Sequence, residues 1–375
     1  MPHGATGTLP VDASGPRDTA AGPPPGGSPT PPATNVPPSD TTPGASGTPA
    51  PPPGPPTPPP AADPHLAALA AELTHGRHGV AHLGPLPAPD LSGTAALWRW
   101  FHLTLLRLPA PHATQWRARA QQLPVAGGDP GGARWEAWRT LGEGQVLLPP
   151  LPRLGVPGVR LDPAGSAAPW AMAAAAGGEP AGEGTAVRGS QGVPPAPGDL
   201  RAPLGVFVVL AGWVGGLAAL DGQLHHCLEN VSHRGVVPLR EAEHRTAHRH
   251  ELAQRIGRLA CREPGSAAEL RAALAVDEAL CSVLHLPPAA PGSWWAQLAE
   301  TSQRAVLELR RRVRDSGADV AVEVLAPTYR EARRRTGGND IPLDAGGRKG
   351  QVLAGLRLWA RIDGRELPGR VVYRA

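Results

Sequence analysis

Histidine and cysteine crowd one stretch of the chain: His225, His226, Cys227, His233, His244, His248, His250 and Cys261. Imidazole and thiolate are the usual ligands of zinc in tetrahedral sets. His244 and His248 lie four apart in a segment read as a helix opening near Pro238, so their rings share a face. With His226 and Cys227 from a neighbouring helix they form the candidate metal set. The pattern is incomplete. There is no C-x-x-C pair, and His250-Glu-Leu-Ala-Gln254 places a glutamine where the metalloprotease pattern needs its second histidine. Arg245 and Arg249 add positive charge around the same positions. A solvated, arginine-rich helix face with incidental histidines is the preferred reading, and no cofactor is expected.

The second chemical signal is cationic. From Thr301 onward there are 16 Arg plus Lys against 9 Asp plus Glu, an excess of +7 where the whole chain carries +4. The positive residues cluster as Arg310, Arg311, Arg312 and Arg314, then Arg330, Arg333, Arg334 and Arg335, then Arg348 and Lys349. Arginine triplets near helix ends and a glycine-flanked basic turn are groups that can neutralise a phosphate backbone. Solvation, and cations placed at helix C-termini, explain the same clusters without a ligand. Composition favours that plainer account. Lys349 is the sole lysine, and Trp outnumbers Phe plus Tyr, 10 against 4. Both follow from the codon bias of a GC-rich genome, such as that of an actinobacterium or a large DNA virus.

Catalytic groupings are not evident. The glycine runs near Gly127 and Gly346 lack P-loop spacing, and Gly-Ser-Gln-Gly at Gly189 is not a nucleophile elbow. No two acidic residues stand in apolar surroundings where a raised pKa is expected. The chain is therefore read as leaning away from an enzyme.

The elements that must position these groups follow from the apolar periodicity. Residues 1–62 form a disordered Pro/Gly/Ser/Thr-rich arm, too poor in apolar surface to offset the entropy of ordering. An N-terminal helical region spans 63–163. Asp63 caps its first helix, and a second helix runs from about Gly93 to Leu108 behind Ser92. ARWEAWR adds a short helical piece, and QVLLPPLP an extended one. Residues 164–199 are a Gly/Ala/Pro linker, 200–316 a helical core and 317–375 a basic α+β tail.

In the core, Leu204 to Leu220 is uncharged and is read as a buried helix continuing through Leu224 and Leu228, with membrane insertion the lesser alternative. Ser266 and Glu269 form a capping box for a helix carrying Leu270 through Leu286. Ser293 precedes a helix whose stripe is Trp295, Leu298, Val306, Leu309 and Val313. In the tail, Ala318–Leu325 alternates as a strand. Leu356–Asp363 does likewise, with Val371–Ala375 as its returning partner.

The fold expected is mainly α: an irregular helical bundle with a small C-terminal β-hairpin or sheet, behind the proline-rich arm. Three unpaired-looking cysteines and no apolar leader suggest an intracellular protein. The function expected first is a non-enzymatic interaction or scaffold protein whose folded body binds protein partners and whose flexible proline-rich arm tethers or extends. A nucleic-acid-associated protein using the C-terminal arginines is the alternative. A zinc-dependent or membrane-inserted protein comes third, with membrane association unlikely.

Overall fold

The computed structural model describes residues 62–75, 86–123, 201, 203–232 and 235–375. The proline-rich arm up to residue 61, the linker at 164–199, ARWEAWR, QVLLPPLP and His233 lie outside them.

Three helices form the first layer: α1 (Pro64–His75), α2 (Thr94–Leu105) and α3 (Ala110–Gln121). Asp63 starts α1 as its sequence position predicts. Its Oδ1 accepts from the amides of His65 and Leu66 at 2.9 and 3.0 Å, satisfying donors that a helix start leaves open. Ser92 does not cap α2; Gly93 stands at that position with no side-chain bond. Leu66, Leu69, Ala70 and Leu73 recur at helical spacing and bury against Leu97, Phe101, Leu105 and Trp116. The other face of α2 sends Leu103 and Leu106 into the main core. Arg107, 1% exposed, fastens the joint. Its Nη2 donates to the Pro287 carbonyl at 2.6 Å, and its own carbonyl accepts from the Ala290 amide at 2.9 Å. The early helices and the later bundle are thus packed together through one shared helix.

The central helix α4 (Leu204–Leu220) is buried along nearly its whole length, Phe207, Val208, Leu210, Val214 and Leu217 among its core residues. Its 17 residues span about 26 Å. No helix among the described residues is long and apolar enough to cross a membrane. The helix does not continue through Leu224 as the leucine spacing suggests. Asp221 and Gly222 turn the chain, with Asp221 Oδ1 accepting from the Gln223 amide at 2.9 Å, and Leu224–His226 becomes strand β1. An aspartate closing its own turn outweighs a weakly specified helical period.

After a short helix α5 (Glu229–Ser232) and strand β2 (Val237–Pro238), the bundle is completed by three helices. They are α6 (Ala242–Ala260), α7 (Ala267–Cys281) and α8 (Trp294–Asp315). Ser266 accepts from the Glu269 amide at 3.1 Å, and Glu269 reaches back to the Gly265 amide at 2.7 Å. Helix α7 stops at Cys281, so Leu284 belongs to strand β3 (Val283–His285) and not to a helix. Strand β1 pairs antiparallel with both β2 and β3, in the order β2-β1-β3. Ser293 caps α8 by accepting from the Ala296 amide at 3.2 Å, and the predicted stripe from Trp295 to Val313 is buried.

The tail is more than a hairpin. Strand β4 (Val320–Glu323) alternates as expected, then come α9 (Tyr329–Ala332) and β5 (Ile341–Leu343). Next are β6 (Val352–Arg357), β7 (Trp359–Ile362), β8 (Arg365–Leu367) and β9 (Arg370–Arg374). They build two sheets, β4-β7-β8 and β5-β9-β6, the second containing a parallel β5–β9 pair. The segment read as one strand breaks at Leu358, and its halves enter different sheets. Asp363-Gly364 turns β7 into β8, with φ of 52° and 75°. Strand β9 returns to β6 instead of β7. Leu356 accordingly joins Cys227, Leu284, Ile341 and Val372 in a small third cluster, whereas Leu358, Ala360 and Ile362 join the main core.

A buried ion network ties the bundle to this tail. Arg255 lies 2.7 Å from Glu251 and 3.0 Å from Glu278, and Glu278 also meets Arg357 of β6 at 3.3 Å.

Candidate functional site

Two of the three cationic clusters come together. Backbone bonds join the segment before α9 to the turn before β6. The Tyr329 amide donates to the Gly350 carbonyl at 2.8 Å, and the Val352 amide donates to Pro327 at 2.9 Å. These bonds set Arg330, Arg333 and Arg334 against Arg348 and Lys349 around an open cleft of about 1330 Å³. All five cations are exposed, and among the described residues none is ion-paired. The acid lining the cleft, Glu331, accepts from the Thr328 hydroxyl at 2.8 Å.

The basic turn rests on a buried arginine. Arg374, 4% exposed, donates from Nη1 to the Ala345 carbonyl at 2.6 Å and from Nε to Gln351 Oε1 at 3.1 Å. Gly347 crosses over that guanidinium with φ of 83°, where a Cβ would lie 2.8 Å from Nη1. Only glycine suits both the left-handed backbone and the close approach. Beside the turn the rings of Tyr329 and Tyr373 stack, with centroids 3.6 Å apart.

The remaining predicted cations stand elsewhere. Arg335 is held by Glu323 at 3.3 Å, with its guanidinium 3.9 Å over the Trp359 ring. Arg310 donates to the Val322 carbonyl at 3.3 Å, and Arg314 lies 3.6 Å from Asp315. Arg310, Arg311, Arg312 and Arg314 do not line the cleft.

The metal candidates separate. His226, His244 and His248 do gather, His226 lying 6.4 Å from His244 and 5.1 Å from His248 between ring centroids. Cys227 follows His226 in the chain and sits in the small cluster with Leu284 and Leu356, its thiol 3.3 Å from the Ser282 carbonyl. Burial pushes that thiol up to about 12. His248 is already committed through Nε2 to the Ala279 carbonyl at 3.1 Å. Burial, aided by neighbouring positive and imidazole groups, brings His226 to about 3 and His248 to about 4. Among the described residues no group of three or more His, Cys, Asp or Glu is arranged to hold a metal. The histidine run is also less solvated than the sequence suggests: His226 and His248 are buried.

Two polar sites were missed. Asp221 and His285, 5% and 2% exposed, meet through Oδ2 and Nε2 at 2.7 Å. Burial acts to raise the Asp221 carboxyl, but the His285 contact, the Gln223 amide and the Arg107 charge together hold it below the ordinary range. Burial holds His285 below its usual value despite Asp221. The neutral ring therefore donates from Nε2 to an ionised carboxylate. The signal available was the Asp221-Gly222 turn, hidden by the leucine spacing across it.

The other is Asp277 on α7, 1% exposed, bonded to the Ser302 hydroxyl at 2.6 Å. Burial pushes its carboxyl up to about 7, against the pull of Ser302 and Cys281 and helped by Glu278. An acid in apolar surroundings, with a second acid beside it, is thus present after all. No protein-family model, curated protein or solved structure matches the chain.

Proposed function

We propose that the chain binds the phosphate backbone of a nucleic acid in the cleft between α9 and the Gly346–Gly350 turn. The observation that carries this reading is the convergence of Arg330, Arg333, Arg334, Arg348 and Lys349 without carboxylate partners. Like charges gathered from two segments repel one another, and a polyanion relieves that repulsion. Two arginines elsewhere in the tail, Arg335 and Arg314, do lie beside acids, so cations are not left alone here merely because acids are scarce.

The interaction-scaffold reading stands second. It drew on a flexible arm and on helical faces; the arm lies outside the described residues, and the large hydrophobic side chains exposed among those described are Leu91 and Val324. Two scattered residues do not make a docking patch.

Salt titration tests the cleft. Affinity for a nucleic-acid strand should fall steeply with salt, the logarithmic slope changing by about 0.7–0.9 per phosphate contact. Replacing Arg330, Arg333, Arg334, Arg348 and Lys349 with glutamine should flatten that slope by several units. The same replacement at Arg310, Arg311 and Arg312 should leave it unchanged. Undetectable or salt-independent binding by the intact chain overturns the reading.

A further inference from the structure

Every tryptophan and phenylalanine among the described residues is buried, from Trp98 to Trp359. The chain's two tyrosines are the exception: Tyr329 and Tyr373 are both partly exposed, and they stand against each other. Their rings lie 3° from parallel, with centroids 3.6 Å apart. Tyr373 is held from both sides in β9, opposite Pro342 of β5 and Val352 of β6. Tyr329 is the first residue of α9, and its amide bond to the Gly350 carbonyl fixes it between the two cationic segments. Tyr329 contributes to the lining of the cleft and Tyr373 does not. One face of the Tyr329 ring is therefore covered by a fixed partner, which leaves the other for a ligand.

The fold does not need this ring for its core, because neither tyrosine belongs to any of the three apolar clusters. We propose that the ligand of the cleft is a single strand and that Tyr329 is the platform on which one of its bases stacks. Every base has a π-face, so a platform of this kind holds a strand without selecting its sequence. A base inside a duplex has both faces covered by its neighbours and meets a side chain only by leaving the stack, at an energetic cost. The contact with Tyr373 holds the platform still, so little side-chain freedom is lost when a base arrives. Cations of α9 on one side and of the Gly346–Gly350 turn on the other then meet the phosphates that flank the stacked base. The inference rests on the cleft reading and narrows it to single strands.

The test uses the full chain and three ligands of about ten nucleotides, within the usual span of a single-strand site. They are an oligothymidylate, an abasic strand of the same length, and the thymidylate annealed to its complement. Binding is measured at two salt concentrations. The thymidylate should bind about tenfold more tightly than the abasic strand, as expected for one base stacked on an aromatic side chain. Tyr329→Leu should abolish that difference by weakening the thymidylate alone, with the abasic strand, the duplex and the salt slope unchanged. Tyr329→Phe keeps the ring and should keep the difference. Equal, salt-sensitive binding of both strands by the native chain overturns the platform and leaves the cleft intact. So does a Tyr329→Leu variant that weakens both strands alike, as a ring serving only to hold the turn would, or one that preserves the difference. Loss of the difference in Tyr329→Phe does the same. Absence of salt-sensitive binding to any of the three ligands overturns both readings.

Discussion

Asp221 Oδ2 and His285 Nε2 lie 2.7 Å apart, joining the end of α4 to strand β3 across 64 positions of sequence. The pair holds the floor of the bundle against that strand. It also leaves the imidazole in a single tautomer. Two partners fix the carboxylate from other sides: the Gln223 amide, and the charge of Arg107 from the turn after α2.

Asp221→Asn keeps the shape of the side chain but removes the charge. A hydrogen bond to an ionised group contributes about 1.5–3 kcal/mol, so chemical denaturation should show a loss in that range. A loss below about 0.5 kcal/mol would mean that the bond contributes no more than an ordinary surface contact.

Asp277 predicts a dependence on pH with a definite sign. Its carboxyl keeps a proton to about 7 in the folded chain, against 3.8 for the ordinary group. The folded state therefore binds more protons between those values, and this contribution to stability falls as pH rises from about 4 to 7. His102, His226 and His248 act oppositely. Burial brings them to about 3, 3 and 4, so they withdraw stability as pH falls below 6.5. Asp277→Asn should accept the Ser302 hydroxyl bond without ionising. Its stability relative to the native chain should improve between pH 5 and pH 8, by about 3 kcal/mol. An unchanged difference at the two pH values would show an aspartate already ionised at pH 5.

Gly347→Ala probes the basic turn without touching a cation. The added methyl meets Arg374 Nη1 at 2.8 Å in a left-handed backbone, so the turn must shift. Strand affinity should drop about tenfold, while the cooperative unfolding of the bundle changes by only about 1 kcal/mol. Native affinity in this variant would separate the turn's geometry from binding.

The helices were legible wherever a cap and an apolar stripe coincided. Asp63, Ser266 and Ser293 all cap as their positions predict, and the faces behind them are buried. Periodicity misled where leucines ran on past a turn, at Leu224 and Leu284, because a leucine at the right spacing suits a buried strand equally well. The tail's alternation was readable, but not its division. Leu356 and Leu358 share a parity while belonging to different clusters, which depends on a break that pattern alone does not show. For the site, residue types were visible and convergence was not. Which arginines meet is decided by backbone bonds between Pro327–Tyr329 and Gly350–Val352, and which are neutralised is decided by Glu323 and Trp359. The His285–Asp221 contact is invisible for the same reason: 64 residues lie between its partners.

Strands β6 and β7 are separated by Leu358 alone, yet each serves a different sheet. A single buried residue thereby joins the two sheets, so a shift of β6 within its sheet reaches β7 through Leu358 alone. The cationic turn is tied to the same pair of sheets, the Gly350 amide donating to the Arg374 carbonyl of β9 at 2.9 Å.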